Sequence, residues 1–356
     1  MKEQKLPQSS GSDKLRGGDQ VKKERLDLDD YRKLLKQYLL THDETALYQA
    51  EQLSKLSVQH NVSPEEIIHV HIKALKELYP DLQQEVSDSL NFLLEAMISY
   101  GLALQEYQSL REKQSALESE ISVAANMQKT LLQTKKPTIT GLDIGAVSVP
   151  ANQMNGDYYH FIEGSDGTLG IALADVIGKG VPAALAMSMI KYSMDSFPEQ
   201  LRQPAQILES LNRVVERNVD TSMFITMFYG SYNTKNHTFS FSSAGHEPGF
   251  FYFHETTSFS EIKARGLVLG ATSDARYNEE AMTIHDGDAI ILLTDGVTEC
   301  HLGDRFIERD EVLEVIKHYL HLPAQEAVEK VYKHFERLQD FHLRDDFTLI
   351  ILKKET

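Results

Sequence analysis

The feature that most constrains this chain is a long stretch, residues 103–132, that contains neither glycine nor proline. Its apolar residues recur at the spacing of heptad a and d positions: Tyr107, Leu110, Leu117, Ile121, Ala124 and Leu131. Gln114 and Gln128 fall in the same seam and are expected to weaken it. A lone helix of this length cannot bury such a stripe. We predict a coiled-coil-like linker helix over residues 102–136 that pairs with a second copy, giving a homodimer. Packing within its own chain is the alternative that the pattern leaves open.

The segment before this stretch has helical periodicity. Apolar residues form about four helical segments, within residues 34–39, 46–56, 67–78 and 90–98. Thr41 with Glu44 has the spacing of a capping box, and Ser63 before Pro64 combines an N-cap with a proline at the first helical position. We predict a helical domain over residues 28–101, with helices that begin at both caps.

Beyond residue 137 the pattern changes to short apolar or alternating runs, which are typical of β-strands. The predicted strands are residues 142–149, 158–162, 169–176, 224–232, 238–243, 250–253, 289–293 and 347–352. Two helical pairs interrupt them, at residues 182–197 with 205–219 and at residues 311–320 with 324–338. Strands and helices in blocks, without strict alternation, indicate an α+β domain over residues 137–356, with packed sheets and helices outside.

Composition narrows the classes of function. Residues 1–27 are polar and mix both charges, which predicts a disordered tail. The net charge of -17, with no local run of Lys and Arg, makes nucleic acid a poor partner. The longest apolar runs fall far short of the roughly 18 residues that a membrane-spanning helix needs, so we expect no membrane span. The single cysteine, Cys300, excludes an intramolecular disulfide and a thiolate metal cage, which favours the cytoplasm.

Aspartates stand where predicted strands meet turns, at Asp157, Asp175, Asp295 and the pair Asp345-Asp346. Carboxylates that converge from separate strands need a counter-charge. Hard oxygen ligands suit Mg²⁺ or Mn²⁺, and two such ions about 4 Å apart activate water for in-line attack on phosphorus. The pattern favours a phosphomonoester hydrolase with two divalent cations. Any one Asp-Gly pair after a strand is more often an ordinary turn.

Five motifs occur in the order and spacing of the bacterial branch of the PPM (protein phosphatase 2C-like, or stage II sporulation E-like) serine phosphatases. They are Gly156-Asp157-Tyr158-Tyr159, Asp175-Val176-Ile177-Gly178-Lys179-Gly180, Ser243-Ala244-Gly245-His246-Glu247-Pro248, Thr294-Asp295-Gly296 and Asp345-Asp346-Phe347-Thr348. The resemblance covers residues 141–353. The helical region, from about residue 28, resembles the regulatory domain of the stress-response members. The family's fold is a β-sandwich flanked by helices (αββα), which the resemblance implies here.

Motif by motif, the resemblance implies that Asp175 bridges both metals and that the carbonyl of Val176 completes one coordination sphere. Asp295 and Asp345 are implied to be direct ligands of the other ion, and Asp157 to hold a water or an edge of the metal site. Three neighbours are implied to support these ligands: Gly156, Gly178 and Asp346. The sequence does not distinguish Asp345 from Asp346 as the direct ligand.

The chain departs from the family pattern at two positions. Asn155 stands where many relatives have a second glycine, and Lys179 replaces a frequent histidine. Lys179 is a candidate phosphate contact, but an exposed loop lysine is more often simply solvated. His246 is a candidate general acid near neutral pH, but a structural role is the commoner outcome, so we leave it out of the catalytic set.

The resemblance implies a metal-dependent protein serine phosphatase. Its implied substrate is a phosphorylated anti-anti-sigma factor, whose dephosphorylation activates the stress sigma factor sigma-B. Its implied activator is a switch-kinase-class protein that binds the helical domain. A non-catalytic adaptor is the alternative, which the intact set Asp175, Asp295 and Asp345 disfavours. A nucleotide phosphohydrolase is disfavoured because the chain has no Gly-x-x-x-x-Gly-Lys loop.

Overall fold

A computed structural model describes residues 28–60, 62–178, 180–197, 203–220, 223–302 and 305–355. The predicted disordered tail, residues 1–27, and Lys179 lie outside the described residues. The chain divides into two compact units, Met1–Ser115 and Ala116–Thr356. Within the described part of the chain, no helix is both long and apolar enough to cross a membrane.

The described part of the first unit is helical: α1 (Leu28–Thr41), α2 (Glu44–Gln59), α3 (Pro64–Leu78) and most of α4 (Gln84–Leu131). The predicted start at Pro64 is confirmed. The predicted cap at Thr41 is wrong, because Thr41 ends α1 and Asp43 caps α2 by accepting a hydrogen bond from the Thr45 amide at 3.0 Å. A short carboxylate directly before the first turn reaches its free amides, which a residue two positions earlier does not.

Helix α4 is continuous over 48 residues and passes through Gly101, so the predicted fourth helix and the linker helix are one element. It ends at Leu131, five residues before the predicted end at residue 136. The early seam residues Tyr107, Leu110 and Leu117 are between 58% and 62% exposed. From Ile121 onward the seam is partly buried, and Leu132 directly after the helix packs against the core of the second unit. The last turns of α4 therefore pack within their own chain, as the alternative expected. The apolar residues of the earlier seam are exposed.

The second unit contains two five-stranded antiparallel sheets, with strand orders β1-β12-β9-β6-β7 and β2-β3-β4-β5-β8, and a small β10-β11 hairpin. The strands are β1 (Leu142–Val149), β2 (Asp157–Glu163), β3 (Thr168–Ile177), β4 (Phe224–Asn233), β5 (Thr238–Ala244), β6 (Gly249–Phe253), β7 (Ser258–Ile262), β8 (Glu280–Thr283), β9 (Ala289–Leu293), β10 (His301–Leu302), β11 (Arg305–Phe306) and β12 (Phe347–Lys354). The helices are α5 (Val181–Asp195), α6 (Pro204–Asn218), α7 (Asp295–Thr298), α8 (Arg309–Tyr319) and α9 (Ala324–Leu338).

Three apolar cores stack this unit into four layers. Phe161, Phe228 and Ile350 belong to the core between the sheets. Helices α5 and α6 cover the outer face of the second sheet, and α8 and α9 cover that of the first. The predicted α+β class and αββα order are confirmed. Strands β7, β8, β10 and β11 were not predicted, because each has only two to five residues and is too short to show a clear apolar periodicity.

Candidate active site

The four predicted aspartate sites meet at one edge of the sandwich. Asp157 is the first residue of β2 and pairs in register with Asp175 near the end of β3. In the other sheet, Asp295 follows β9, and Asp345 lies two residues before β12. A hydrogen bond joins the two sheets there, in which the Thr294 hydroxyl donates to Asp157. Residues from four strands thus converge without being close in sequence.

Asp157 is the most buried of these carboxylates, with 3% of its surface exposed. Its Oδ2 accepts hydrogen bonds from the hydroxyls of Thr294 at 2.7 Å and Thr348 at 2.6 Å. Burial is the main cause that raises the pKa of Asp157 well above its ordinary value, and the charges of Asp175 and Asp346 raise it further. The two hydroxyls act in the opposite direction, because they stabilise the ionised form.

Gly156 allows three oxygen atoms to approach its backbone. A Cβ at this position would lie 3.0 Å from Asp346 Oδ2, 3.7 Å from the Val176 carbonyl oxygen and 3.8 Å from Asp175 Oδ1. Asp346 accepts hydrogen bonds from the amides of Ala151, at 2.7 Å, and Gly156. Asp346 therefore anchors the 151–156 loop, while Asp175 and the Val176 carbonyl lie beside it.

Asp295 and Asp345 form the other half of the cluster. Burial raises the pKa of Asp295, and the charge of Asp345 adds to this effect. Oδ1 of Asp345 accepts a hydrogen bond from the Asp346 amide at 3.0 Å. Gly296 packs directly on this turn, since a Cβ there would lie only 2.0 Å from the Asp346 carbonyl oxygen.

These donors suit a hard divalent cation, because they are carboxylate oxygens and one backbone carbonyl. Among the described residues, no group of three Asp, Glu, His or Cys side chains is already arranged to hold a metal ion. Carboxylates that approach one another without a cation repel, which is why neighbouring aspartates raise the pKa values of Asp157 and Asp295. The residues present fit a metal site that a cation would draw together.

Local structure accounts for three further positions of the sequence motifs. Gly178 has φ 141° and Gly180 has φ 80°, which is backbone that side-chain-bearing residues rarely adopt. His246 is buried, and its Nδ1 lies 2.9 Å from the Thr226 hydroxyl. Burial lowers the pKa of His246 to about 4, so its ring is neutral near pH 7. This environment agrees with the structural role expected for it.

Gln128 has a role that the heptad pattern did not reveal. It lies near the end of α4, and 5% of its surface is exposed. It forms two hydrogen bonds with the backbone of Asn155, which we call the bracket. Its Nε2 donates to the Asn155 carbonyl at 2.6 Å, and its Oε1 accepts from the Asn155 amide at 3.0 Å. The Asn155 Nδ2 donates in turn to Ser148 Oγ at 2.9 Å. Gln128 is therefore a buried anchor of the 151–156 loop, a role beyond the weakening of the seam that the sequence predicts.

Comparison with known proteins agrees with this architecture. The model of the stage II sporulation protein E (SpoIIE) family matches residues 165–355, and the model of the phosphoserine phosphatase RsbU N-terminal domain matches residues 29–103. Phosphoserine phosphatase RsbU of Bacillus subtilis (strain 168) is 52% identical over 325 residues, which cover 91% of this chain and 97% of that protein. Phosphoserine phosphatase RsbP of the same organism is 21% identical and covers 65% of this chain and 57% of its own length.

Solved structures share the fold. The SiaA-PP2C domain of Pseudomonas aeruginosa superposes with a TM-score of 0.57 at 19% identity, covering 68% of this chain and 98% of that one. The PP2C phosphatase domain of SpoIIE from Bacillus subtilis, with a fragment of its regulatory domain, gives a TM-score of 0.53 at 15% identity, covering 77% and 99%. With its helical and sandwich regions matched over nearly the whole length of one relative, the chain belongs to the RsbU family of phosphoserine phosphatases, within the SpoIIE and PP2C-like (PPM) serine phosphatases.

Proposed function

We propose that this phosphatase hydrolyses the phosphoserine of an anti-anti-sigma factor of the RsbV type in the cytoplasm and thereby activates sigma-B. The observation that carries the proposal is the gathering of Asp157, Asp175, Asp295 and Asp345 at one edge of the sandwich, in a chain 52% identical to an RsbU. The domain limits proposed are those expected from the sequence: helical regulatory residues 28–101, linker residues 102–136 and phosphatase residues 137–356.

In this proposal two divalent cations, Mn²⁺ or Mg²⁺, bind at the aspartate cluster. Asp175 would contribute to both cation sites, the Val176 carbonyl would serve one of them, Asp295 and Asp345 would hold the other ion, and Asp157 would stand at the edge of the site. Cations held by these residues would supply Lewis-acid chemistry, which would polarise the phosphoryl oxygens and activate water for attack.

The chain's own residues then hold this arrangement in place. Asp346 fixes the 151–156 loop through two backbone amides, and Gly156 keeps the space between Asp346 and Asp175 open. Gly178 supplies a backbone conformation that the turn after β3 requires. Since none of these three contributes a ligand in the proposal, their substitution should weaken the site while leaving the four proposed ligand carboxylates in place.

Regulation is proposed to enter through the helical domain, where a switch-kinase-class activator of the RsbT type binds a homodimer of the phosphatase. The exposed seam of α4 supports the dimer, because an apolar heptad stripe on a long helix is stable only when another helix covers it. The bracket that Gln128 forms on Asn155, and the contact of its Nε2 with Met187 Sδ on α5 at 3.8 Å, support α4 as the element that transmits the signal.

The test measures phosphate release from a phosphoserine-bearing anti-anti-sigma protein, with Mn²⁺ or with chelator, with and without the activator. We expect metal-dependent release that the activator raises and that Asp175→Asn abolishes. Asp274→Asn, at an exposed loop position, is the matched control and should behave like the wild type. Release from a small phosphomonoester but not from the phosphoprotein would refute the substrate, and chelator-resistant release would refute the metal mechanism.

A further inference from the structure

Two buried threonines outside the predicted ligand set bind one oxygen of Asp157. The hydroxyls of Thr294 and Thr348 donate to Asp157 Oδ2 at 2.7 Å and 2.6 Å. Both threonines have 0% of their surface exposed. Two donors on a single buried carboxylate oxygen restrict the rotation of the carboxylate far more than one donor does.

The threonines belong to the sheet opposite Asp157. Thr294 follows β9 and Thr348 lies in β12, whereas Asp157 opens β2. The Thr294 amide donates to the Thr348 carbonyl at 3.1 Å, and the Thr348 amide donates to Thr294 Oγ1 at 3.2 Å. Because Thr294 Oγ1 accepts from that amide, its own proton is left to donate to Asp157. The pair is therefore positioned by backbone pairing in one sheet and acts on a carboxylate of the other.

A further hydrogen-bond chain sets the direction of the Thr348 hydroxyl. Ser148 Oγ lies 2.9 Å from Thr348 Oγ1, and Asn155 Nδ2 donates to Ser148 Oγ at 2.9 Å. Since Thr348 gives its proton to Asp157, Ser148 must donate to Thr348 and must accept from Asn155. Every donor in this chain points towards Asp157.

We propose that Thr294 and Thr348 are positioning residues, which hold Asp157 Oδ2 so that Oδ1 is presented to the metal site. This inference rests on the proposed function of Asp157 in the metal site. Groups that hydrogen-bond to a ligating carboxylate orient it, and their loss typically lowers metal affinity roughly 10- to 100-fold.

The experiment measures Mn²⁺ binding to the full-length protein by titration calorimetry, and thermal unfolding in chelator. Thr294→Val and Thr348→Val remove each hydroxyl with little change in shape, and Thr294→Ser and Thr348→Ser retain it. We expect the valine variants to bind Mn²⁺ roughly 10- to 100-fold more weakly and the serine variants to stay near the wild type. Ser242→Ala removes a buried hydroxyl that donates to the Asn278 carbonyl, and it should not change Mn²⁺ affinity.

The outcomes separate this inference from the proposed function. Wild-type protein without Mn²⁺ binding or metal-dependent release refutes the proposed function itself. Wild-type binding that the valine variants retain in full overturns the positioning role, as does equal weakening in the serine variants. If the valine variants do not fold, Ser148→Ala decides, because it removes the hydrogen bond that orients the Thr348 hydroxyl and leaves Thr348 and Asp157 unchanged. Reduced Mn²⁺ affinity in that variant supports the inference, and unchanged affinity overturns it.

Discussion

Replacing Gln128 with methionine isolates the bracket between α4 and the 151–156 loop. Methionine keeps the length and flexibility of the side chain but loses both hydrogen bonds to Asn155, at 2.6 Å and 3.0 Å. Each lost bond costs about 1 kcal/mol, and leaving the amide of the partly buried Asn155 without a partner adds up to about another 1 kcal/mol. We therefore expect Gln128→Met to lower the free energy of unfolding by about 2–3 kcal/mol. In a unit of this size that corresponds to a fall in melting temperature of roughly 5–10 °C.

The assay is thermal and urea unfolding of the full-length protein, followed through the transition of the phosphatase unit. Gln114→Met is the matched control, since Gln114 occupies the same helix and the same heptad seam but is exposed. We expect that control to change stability by less than about 0.5 kcal/mol. Equal effects of the two substitutions would refute the reasoning, because they would show that burial at Gln128 contributes nothing beyond its helical position.

Two other predictions follow from the site. Gly296→Ala should abolish metal-dependent phosphate release, because the new Cβ would lie 2.0 Å from the Asp346 carbonyl oxygen and displace the turn that carries Asp345. Phosphate release at the wild-type rate from this variant would contradict the prediction. His246 has a pKa of about 4 in the folded protein and of 6.5 as a free side chain. The unfolded chain therefore binds the proton first as the pH falls, and the free energy of unfolding decreases below about pH 6.5. Between about pH 7 and pH 5, urea unfolding should show the wild type losing about 2 kcal/mol more than His246→Asn, and parallel pH profiles would refute this.

Much of the architecture was predictable because it depends on local pattern. The stretch free of glycine and proline is helical up to Leu131, and the strands begin after it, at Leu142. Strands β9 and β12 are buried on both faces, which is why each is a nearly continuous apolar run in the sequence. The short strands β7 and β8 escaped prediction because four or five residues at the edge of a sheet are too few to show an apolar alternation.

The site was predictable only in part. The aspartates were found because a carboxylate and a glycine after an apolar run are visible in the sequence. Thr294 and Thr348 stand inside the same motifs, yet nothing in their spacing shows that they reach Asp157. They lie 137 and 191 positions away from it along the chain, and only the facing of the two sheets brings them within hydrogen-bond distance.

The sequence by itself determined the long helix, the α+β class and the acidic motifs, since helix propensity, apolar periodicity and turn chemistry act over a few neighbouring residues. The tertiary structure alone decided which groups those residues meet. Gln114 and Gln128 share one heptad seam, but the first is exposed and the second is buried against Asn155. Burial and hydrogen-bond partners depend on the packing of distant segments, so identical residues at equivalent helical positions acquire different roles.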